Sequence, residues 1–246
     1  MLFMNPTYVA GGTVLDGTGG DGFVADVGVR DGLIAEVGDL SGRSAVERVD
    51  VGDHVVAPGF IDPHTHSRGT IFEIPTADNF ILQGVTTLVE GNDGGSPLDL
   101  GAWYDSLAAN GGTAPNFAMF VGHGSIRRAV LGTEDRAPTE DELAQMRAHV
   151  RSAMEDGGLG LSTGLFYLPG SFATTEEVIE LARVAGQFGG VYISHMRNEG
   201  DGVFESIRET IRIGREAGIP VQMTHHKIGA WRNFGRAGES IGPVSY

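Results

Sequence analysis

From Val55 onward the chain repeats strand, loop, helix, and this alternation limits its fold more than any other feature. The strand candidates are Val55–Ile61, Thr86–Glu90, Phe117–Val121, Gly160–Ser162, Val191–Ser194 and Val221–Thr224. Three helical patterns lie among them. Thr139 to Asp156 opens on Thr139-Glu140-Asp141-Glu142, the spacing of a capping box, and carries Leu143, Met146, Val150 and Met154 at helical period. Thr175 to Phe188 begins with a threonine and two glutamates and stops at Gly189-Gly190. Gly202 to Ala217 sets Val203, Ile207, Ile211 and Gly214 on one side, and Gly218 closes it. Strands that alternate with helices pair in parallel, so the expected class is α/β, either a doubly wound sheet or a barrel.

The first 57 residues have a different texture. Tyr8-Val9-Ala10 and Thr13-Val14-Leu15 read as short strands on either side of Gly11-Gly12. Phe23 to Val29 and Leu33 to Val37 read as hairpin partners around Asp31-Gly32, and Asp50 to Ala57 as a further strand. Short strands with tight turns predict a small N-terminal β-sandwich over 1–57, followed by the strand–helix domain over 58–246.

Composition narrows the chemistry. The chain has 32 acidic against 17 basic residues, a net charge of −15, which repels phosphate backbones and anionic lipids. No nucleic-acid or membrane partner is therefore expected. There is no cysteine. Disulfides, zinc–thiolate sites and cysteine nucleophiles are excluded, and His, Asp and Glu remain as strong metal ligands. The opening MLFMNPTYVAGG has no basic segment before an apolar core, so no leader peptide is read, and a cytoplasmic location is expected.

The stretch Pro58-Gly59-Phe60-Ile61-Asp62-Pro63-His64-Thr65-His66 carries the strongest chemical signal. Residues two apart on a strand point the same way, so His64 and His66 can grip one ion, with Asp62 ordering a histidine from behind. An isolated His-x-His reads equally well as surface or core histidines. Here two more histidines, His195 and His225, follow strand candidates. In a barrel such strand ends converge on one mouth, where catalytic residues collect. His226 is expected to turn outward or to sit behind the ligands. Lys227 could hold a substrate carboxylate, although solvated lysines are more common. Glu90 and Asp93, in Glu90-Gly91-Asn92-Asp93-Gly94-Gly95, are alternative anionic metal ligands, or turn residues. His123, in Val121-Gly122-His123-Gly124-Ser125, is a candidate for contacting substrate, unless its glycines simply mark a strand-to-helix turn.

Together these residues resemble the N-acyl-D-amino-acid deacylase branch of the amidohydrolase superfamily, from Asp16 to about Arg236. The motifs carrying the resemblance are Gly59 to His66, Gly84-Val85-Thr86-Thr87, Gly160-Leu161-Ser162-Thr163-Gly164, Ser194-His195-Met196-Arg197-Asn198-Glu199, and His225-His226-Lys227 with Asn233-Phe234-Gly235-Arg236. The resemblance implies a (β/α)-barrel of the amidohydrolase type flanked by a small β-sandwich, with one or two zinc ions. By the same resemblance His195 and His225 match the ligands of a tightly held zinc, His64 and His66 those of a weaker one. Lys227 matches a residue that pairs with the substrate α-carboxylate. At Asp93 such deacylases typically carry a metal-bound cysteine, so Asp93 or Glu90 is left to supply an oxygen.

The chain offers about six of the eight βα units that such a barrel needs. A strand-end aspartate acting as general base and acid is expected beyond Tyr246, and Glu239 to Tyr246 does not resemble the family well. The function implied is zinc-dependent hydrolysis of N-acyl-D-amino acids, small-molecule substrates, with homo-oligomer formation compatible. Two alternatives stand beside it: a truncated, inactive fragment that keeps metal or partner binding, and a cyclic-amide hydrolase of the dihydroorotase or hydantoinase kind.

Overall fold

The computed structural model describes residues 7–241. Residues 1–6, on which much of the leader reading rests, and 242–246 of the closing segment lie outside the described residues. The chain divides into two compact units, Met1–Gly59 and Phe60–Tyr246.

The first unit is built on one five-stranded sheet in the order β3-β2-β1-β4, with β5 also pairing β1. Its strands are β1 (Thr7–Val14), β2 (Phe23–Arg30), β3 (Leu33–Gly38), β4 (Glu47–Asp50) and β5 (Val55–Val56). Gly11-Gly12 does not separate two strands as expected. It forms a bulge inside β1, where the register against β2 shifts between Val9 and Gly12, with Gly11 at φ +75°. The Asp31-Gly32 hairpin forms, with both residues at positive φ. The expected second layer of a sandwich is not among the described residues. β4 and β5 both pair in parallel with β1 and extend the same sheet. Tyr8, Ala10 and Leu40 pack together on one side, while Val24, Leu33 and Ile34 stay exposed.

The second unit contains β6 (Phe60–Asp62), β7 (Val85–Glu90), β8 (Asn116–Met119), β9 (Val121–Gly122), β10 (Gly160–Gly164), β11 (Val191–His195) and β12 (Val221–Met223). All pair in parallel, in the orders β6-β7-β8 and β9-β10-β11-β12. Phe120 alone separates β8 from β9, and its N–H donates to Glu90 O at 2.8 Å. One barrel strand thus crosses from the first sheet to the second, giving six consecutive parallel barrel strands. Among the described residues β6 and β12 each pair on one side only, so the barrel is not closed. The Val55–Ile61 candidate is divided between the units. Val55 and Val56 join β1, and Phe60 and Ile61 join β7, across Ala57-Pro58-Gly59, where proline lacks a ladder donor.

The helices form as their patterns require. α1 (Asp78–Ile81) is a single turn, and α2 (Leu100–Ala109) and α3 (His123–Leu131) follow. In α4 (Glu140–Glu155) Thr139 and Glu142 make the reciprocal capping box, a device whose loss costs about 1 kcal/mol. α5 (Thr175–Gly186) is capped by Thr174. α6 (Val203–Ala217) ends at Gly218 in the left-handed region, and a short α7 (Ala237–Ile241) comes last. Met146, Val150 and Met154 of α4 and Val178, Leu181 and Ala185 of α5 bury against Val121, Leu161 and Tyr192 of the strands. That packing fixes the strands whose ends carry the site. No helix among the described residues is long and apolar enough to cross a membrane.

Candidate metal centre

Four histidines gather around one carboxylate. His64 and His66 lie just past β6, and their Nε2 atoms stand 3.1 Å apart. Asp93 Oδ2 is 3.2 Å from His64 Nε2 and 3.3 Å from His66 Nε2. The other oxygen, Oδ1, is 3.6 Å from His195 Nδ1 and 3.9 Å from His225 Nε2, and those two nitrogens are 2.9 Å apart. Two potential ligand sets, His64–His66–Asp93 and Asp93–His195–His225, therefore share Asp93.

The backbone around Asp93 is held in place from several sides. Asp93 and His225 are both non-glycine residues at positive φ, +54° and +38°. Such conformations cost free energy and persist where surrounding contacts dictate them. Gly94, at φ +78°, lies so close to β10 that a Cβ would sit 2.8 Å from Gly164 N. Ser162, on β10, donates to Gly91 O and accepts from Gly94 N at 3.2 Å. Buried Asn92 ties the turn back to Val89 O at 2.9 Å. Small residues of β10 thus anchor the loop that aims the shared carboxylate.

The set fits a divalent cation. Imidazole nitrogens and carboxylate oxygens suit zinc and its neighbours among the divalent metals. Asp93 Oδ1 is buried without a hydrogen-bond partner, as a coordinating oxygen is. Burial lowers the pKa of His195, Glu199 and Asp93 oppose it, His225 and Lys227 add to it, and the net lowering favours the neutral ring that binds metal.

Two candidates do not join the group. Glu90 is fully buried, and its Oε1 accepts from Thr65 Oγ1 at 2.8 Å, from Ser67 Oγ at 2.8 Å and from Ser67 N. Its Oε2 faces Arg68 at 3.7 Å. Glu90 therefore holds the His64-Thr65-His66 segment from behind instead of supplying a metal oxygen. His123 opens α3 and is fully buried, with Nε2 2.8 Å from Glu177 Oε1. Arg127 pairs with the same carboxylate. His123 is thus enclosed at a strand-to-helix turn, apart from the four histidines around Asp93. Asp62 accepts from the His64 backbone N–H at 3.1 Å, and His226 turns away to Ser240 Oγ at 2.9 Å.

Lys227 lies at the site, half-exposed, with Nζ 2.5 Å from Glu199 Oε2. Glu199 and Tyr167 are the residues that reading by strand ends passes over. Glu199 ends the Ser194 to Glu199 motif, four residues past His195, but it is not itself at a strand end. Tyr167 follows β10 in Leu165-Phe166-Tyr167 and sets its ring, tilted by 56°, with its centroid 4.7 Å from that of His195. Burial, then the charges of Asp93 and Glu199, raise its pKa.

An amidohydrolase family profile matches residues 47–238. A D-aminoacylase of Alcaligenes xylosoxydans is 44% identical over 95% of this chain and 53% of its own length. An N-acyl-D-aspartate deacylase of the same organism is 37% identical over 96% of this chain and 52% of its own. A crystal structure of N-acyl-D-glutamate deacylase from Bordetella bronchiseptica, complexed with zinc and a phosphonate mimic of the tetrahedral intermediate, superposes with a TM-score of 0.92. It is 36% identical and the match covers 97% of this chain and 55% of that one. The chain spans about half the length of the curated relatives it matches.

Proposed function

Because this chain belongs to the amidohydrolase family, we propose that it carries a zinc-dependent hydrolase site for N-acyl-D-amino acids, cleaving the amide to a carboxylate and a free D-amino acid. The observation that carries the reading is the Asp93 carboxylate, which turns one oxygen to His64 and His66 and the other to His195 and His225. Similarity to D-aminoacylase and to an N-acyl-D-aspartate deacylase supports a linear amide and the D configuration.

His64, His66, Asp93, His195 and His225 would hold one or two zinc ions. Zinc bound there supplies Lewis acidity, which polarises an acyl carbonyl and acidifies water. The residues of the chain do the rest by placement. Lys227 presents its ammonium to a substrate α-carboxylate from its exposed side, a charge-assisted contact worth about 1.5–3 kcal/mol. Tyr167, its pKa raised, keeps its proton at neutral pH and offers an O–H donor beside His195. Glu90, bonded to Thr65 and Ser67, keeps the first histidine pair in register with Asp93.

The test measures zinc content and turnover of N-acetyl-D-amino acids, their L enantiomers, hydantoins and dihydropyrimidines. Hydrolysis confined to the D-series, abolished by a chelator and restored by zinc, is the expected result. Bound zinc without turnover of any N-acyl-D-amino acid would overturn the proposal, and preferential turnover of hydantoins would move the site to cyclic amides.

A further inference from the structure

His195 and His225 each present one ring nitrogen to Asp93, and each presents the other to Glu199. His195 faces Asp93 through Nδ1 and Glu199 Oε2 through Nε2, the latter at 3.8 Å. His225 does the reverse, with Nε2 toward Asp93 and Nδ1 2.9 Å from Glu199 Oε1. The same carboxylate reaches Lys227 through Oε2. It is mostly buried, and its Oε1 has no hydrogen bond in place although His225 Nδ1 is within reach.

From this we infer that Glu199 is the positioning residue for the His195–His225 half of the centre, fixing both rings in opposite tautomers and tying them to Lys227. The inference rests on the metal reading above. A neutral imidazole carries one proton, so a ring that gives one nitrogen to a metal keeps the proton on the other. For His195 that proton lies on Nε2, and for His225 on Nδ1. Both then face Glu199: the His225 proton lies within accepting reach of Oε1, at 2.9 Å, while His195 Nε2 faces Oε2 across 3.8 Å, a charge contact longer than a hydrogen bond. Lys227 Nζ also stands 2.8 Å from His225 Nδ1. Once Nδ1 bears the proton it cannot accept from the ammonium, so Lys227 is left with Glu199 Oε2 and with whatever anion arrives at its exposed side. One carboxylate thus orients two ligands and the group that anchors substrate, without touching a metal or the reacting atoms.

Loss of a carboxylate behind a metal-bound histidine typically costs 10–100-fold in metal affinity. Zinc affinity, measured by competition with a chromophoric chelator, is therefore expected to fall by about 10–100-fold in Glu199→Gln, with the far-UV circular dichroism and thermal midpoint of the apoprotein unchanged. His195→Ala serves as the reference for loss of a ligand. If wild type binds zinc and His195→Ala does not, an unchanged affinity in Glu199→Gln overturns the role of Glu199 and leaves the metal reading standing. If wild type takes up no zinc, both fall together. A second measurement needs no variant: two-bond ¹H–¹⁵N correlation spectra of the zinc-loaded protein should show His195 protonated on Nε2 and His225 on Nδ1. Any other tautomer pair overturns the inference even if Glu199→Gln fails to fold.

Discussion

Asp93 and Glu177 are carboxylates that face histidines following parallel strands, but their surroundings separate them. Glu177 is enclosed with His123 and Arg127, so a fixed cation meets its charge inside the protein. Asp93 meets four imidazole nitrogens and, among the described residues, no fixed cation within ion-pair distance, and its Oδ1 is left without a hydrogen bond. Both clusters join a carboxylate to histidine, while charge balance differs. A carboxylate completed by an arginine holds the fold together, and one left incomplete among imidazoles awaits a cation.

The sharpest way to break this comparison is to exchange the expected phenotypes. Glu177→Gln leaves the Arg127 guanidinium buried without a counter-charge, and removing one partner of a buried pair typically costs about 3–5 kcal/mol. Denaturant unfolding should register that loss, while zinc affinity per folded molecule stays at the wild-type value. Asp93→Ala should show the converse. It removes the carboxylate shared by both ligand sets, so zinc affinity should fall by more than the roughly 100-fold upper range seen for losses behind a ligand. The unfolding midpoint of the apoprotein should hold or rise slightly, because an unpaired buried oxygen is lost. A zinc loss in Glu177→Gln equal to that in Asp93→Ala would collapse the distinction between the clusters.

How far the sequence leads differs between the same two clusters. The strand–helix alternation, the capping box at Thr139 and the histidines at or just past the ends of β6, β11 and β12 are local signals, and local signals survive folding. His123 and His195 both follow strand candidates and cannot be told apart on that ground. What separates them is Glu177, 54 residues further on, whose meeting with His123 is decided by how α3 and α5 each pack against β10. Glu90 was equally open: three residues from Asp93, it differs because Thr65 and Ser67 fold over it. Glu199 lies off the strand-end pattern altogether. The sheet of the first unit teaches the same lesson, since short strands and hairpins foretell its elements but not that β4 and β5 would extend one layer instead of starting another.

Lys227 sharpens the contrast from the solvent side. Arg127 is buried and committed to Glu177, whereas Lys227 is half-exposed and shares Glu199 with His225. Lys227→Met should raise KM for N-acetyl-D-amino acids by roughly 10–100-fold, the equivalent of one charge-assisted contact, with zinc content unchanged and kcat little altered. A fall in kcat at constant KM would instead assign the lysine to the chemical step.

The smallest expected effect is a dependence on pH that belongs to Glu177 alone. Burial pushes its carboxyl up, but His123 and Arg127 outweigh burial and leave it below the ordinary value of 4.5. A carboxyl depressed in the folded state binds its proton more readily in the unfolded chain, so unfolding gains as pH falls. The stabilisation from Glu177 is therefore complete above about pH 4.5 and is lost as pH drops through the lower folded value. Glu177→Gln cannot titrate at that position. The stability gap between wild type and Glu177→Gln should stay constant from neutrality down to about pH 4.5 and narrow below it. Subtracting the two acid-unfolding curves cancels the other carboxylates. A gap that widens in acid would mean that the folded carboxyl titrates above the unfolded one, and Glu177 would then resemble an incomplete carboxylate instead of a satisfied one.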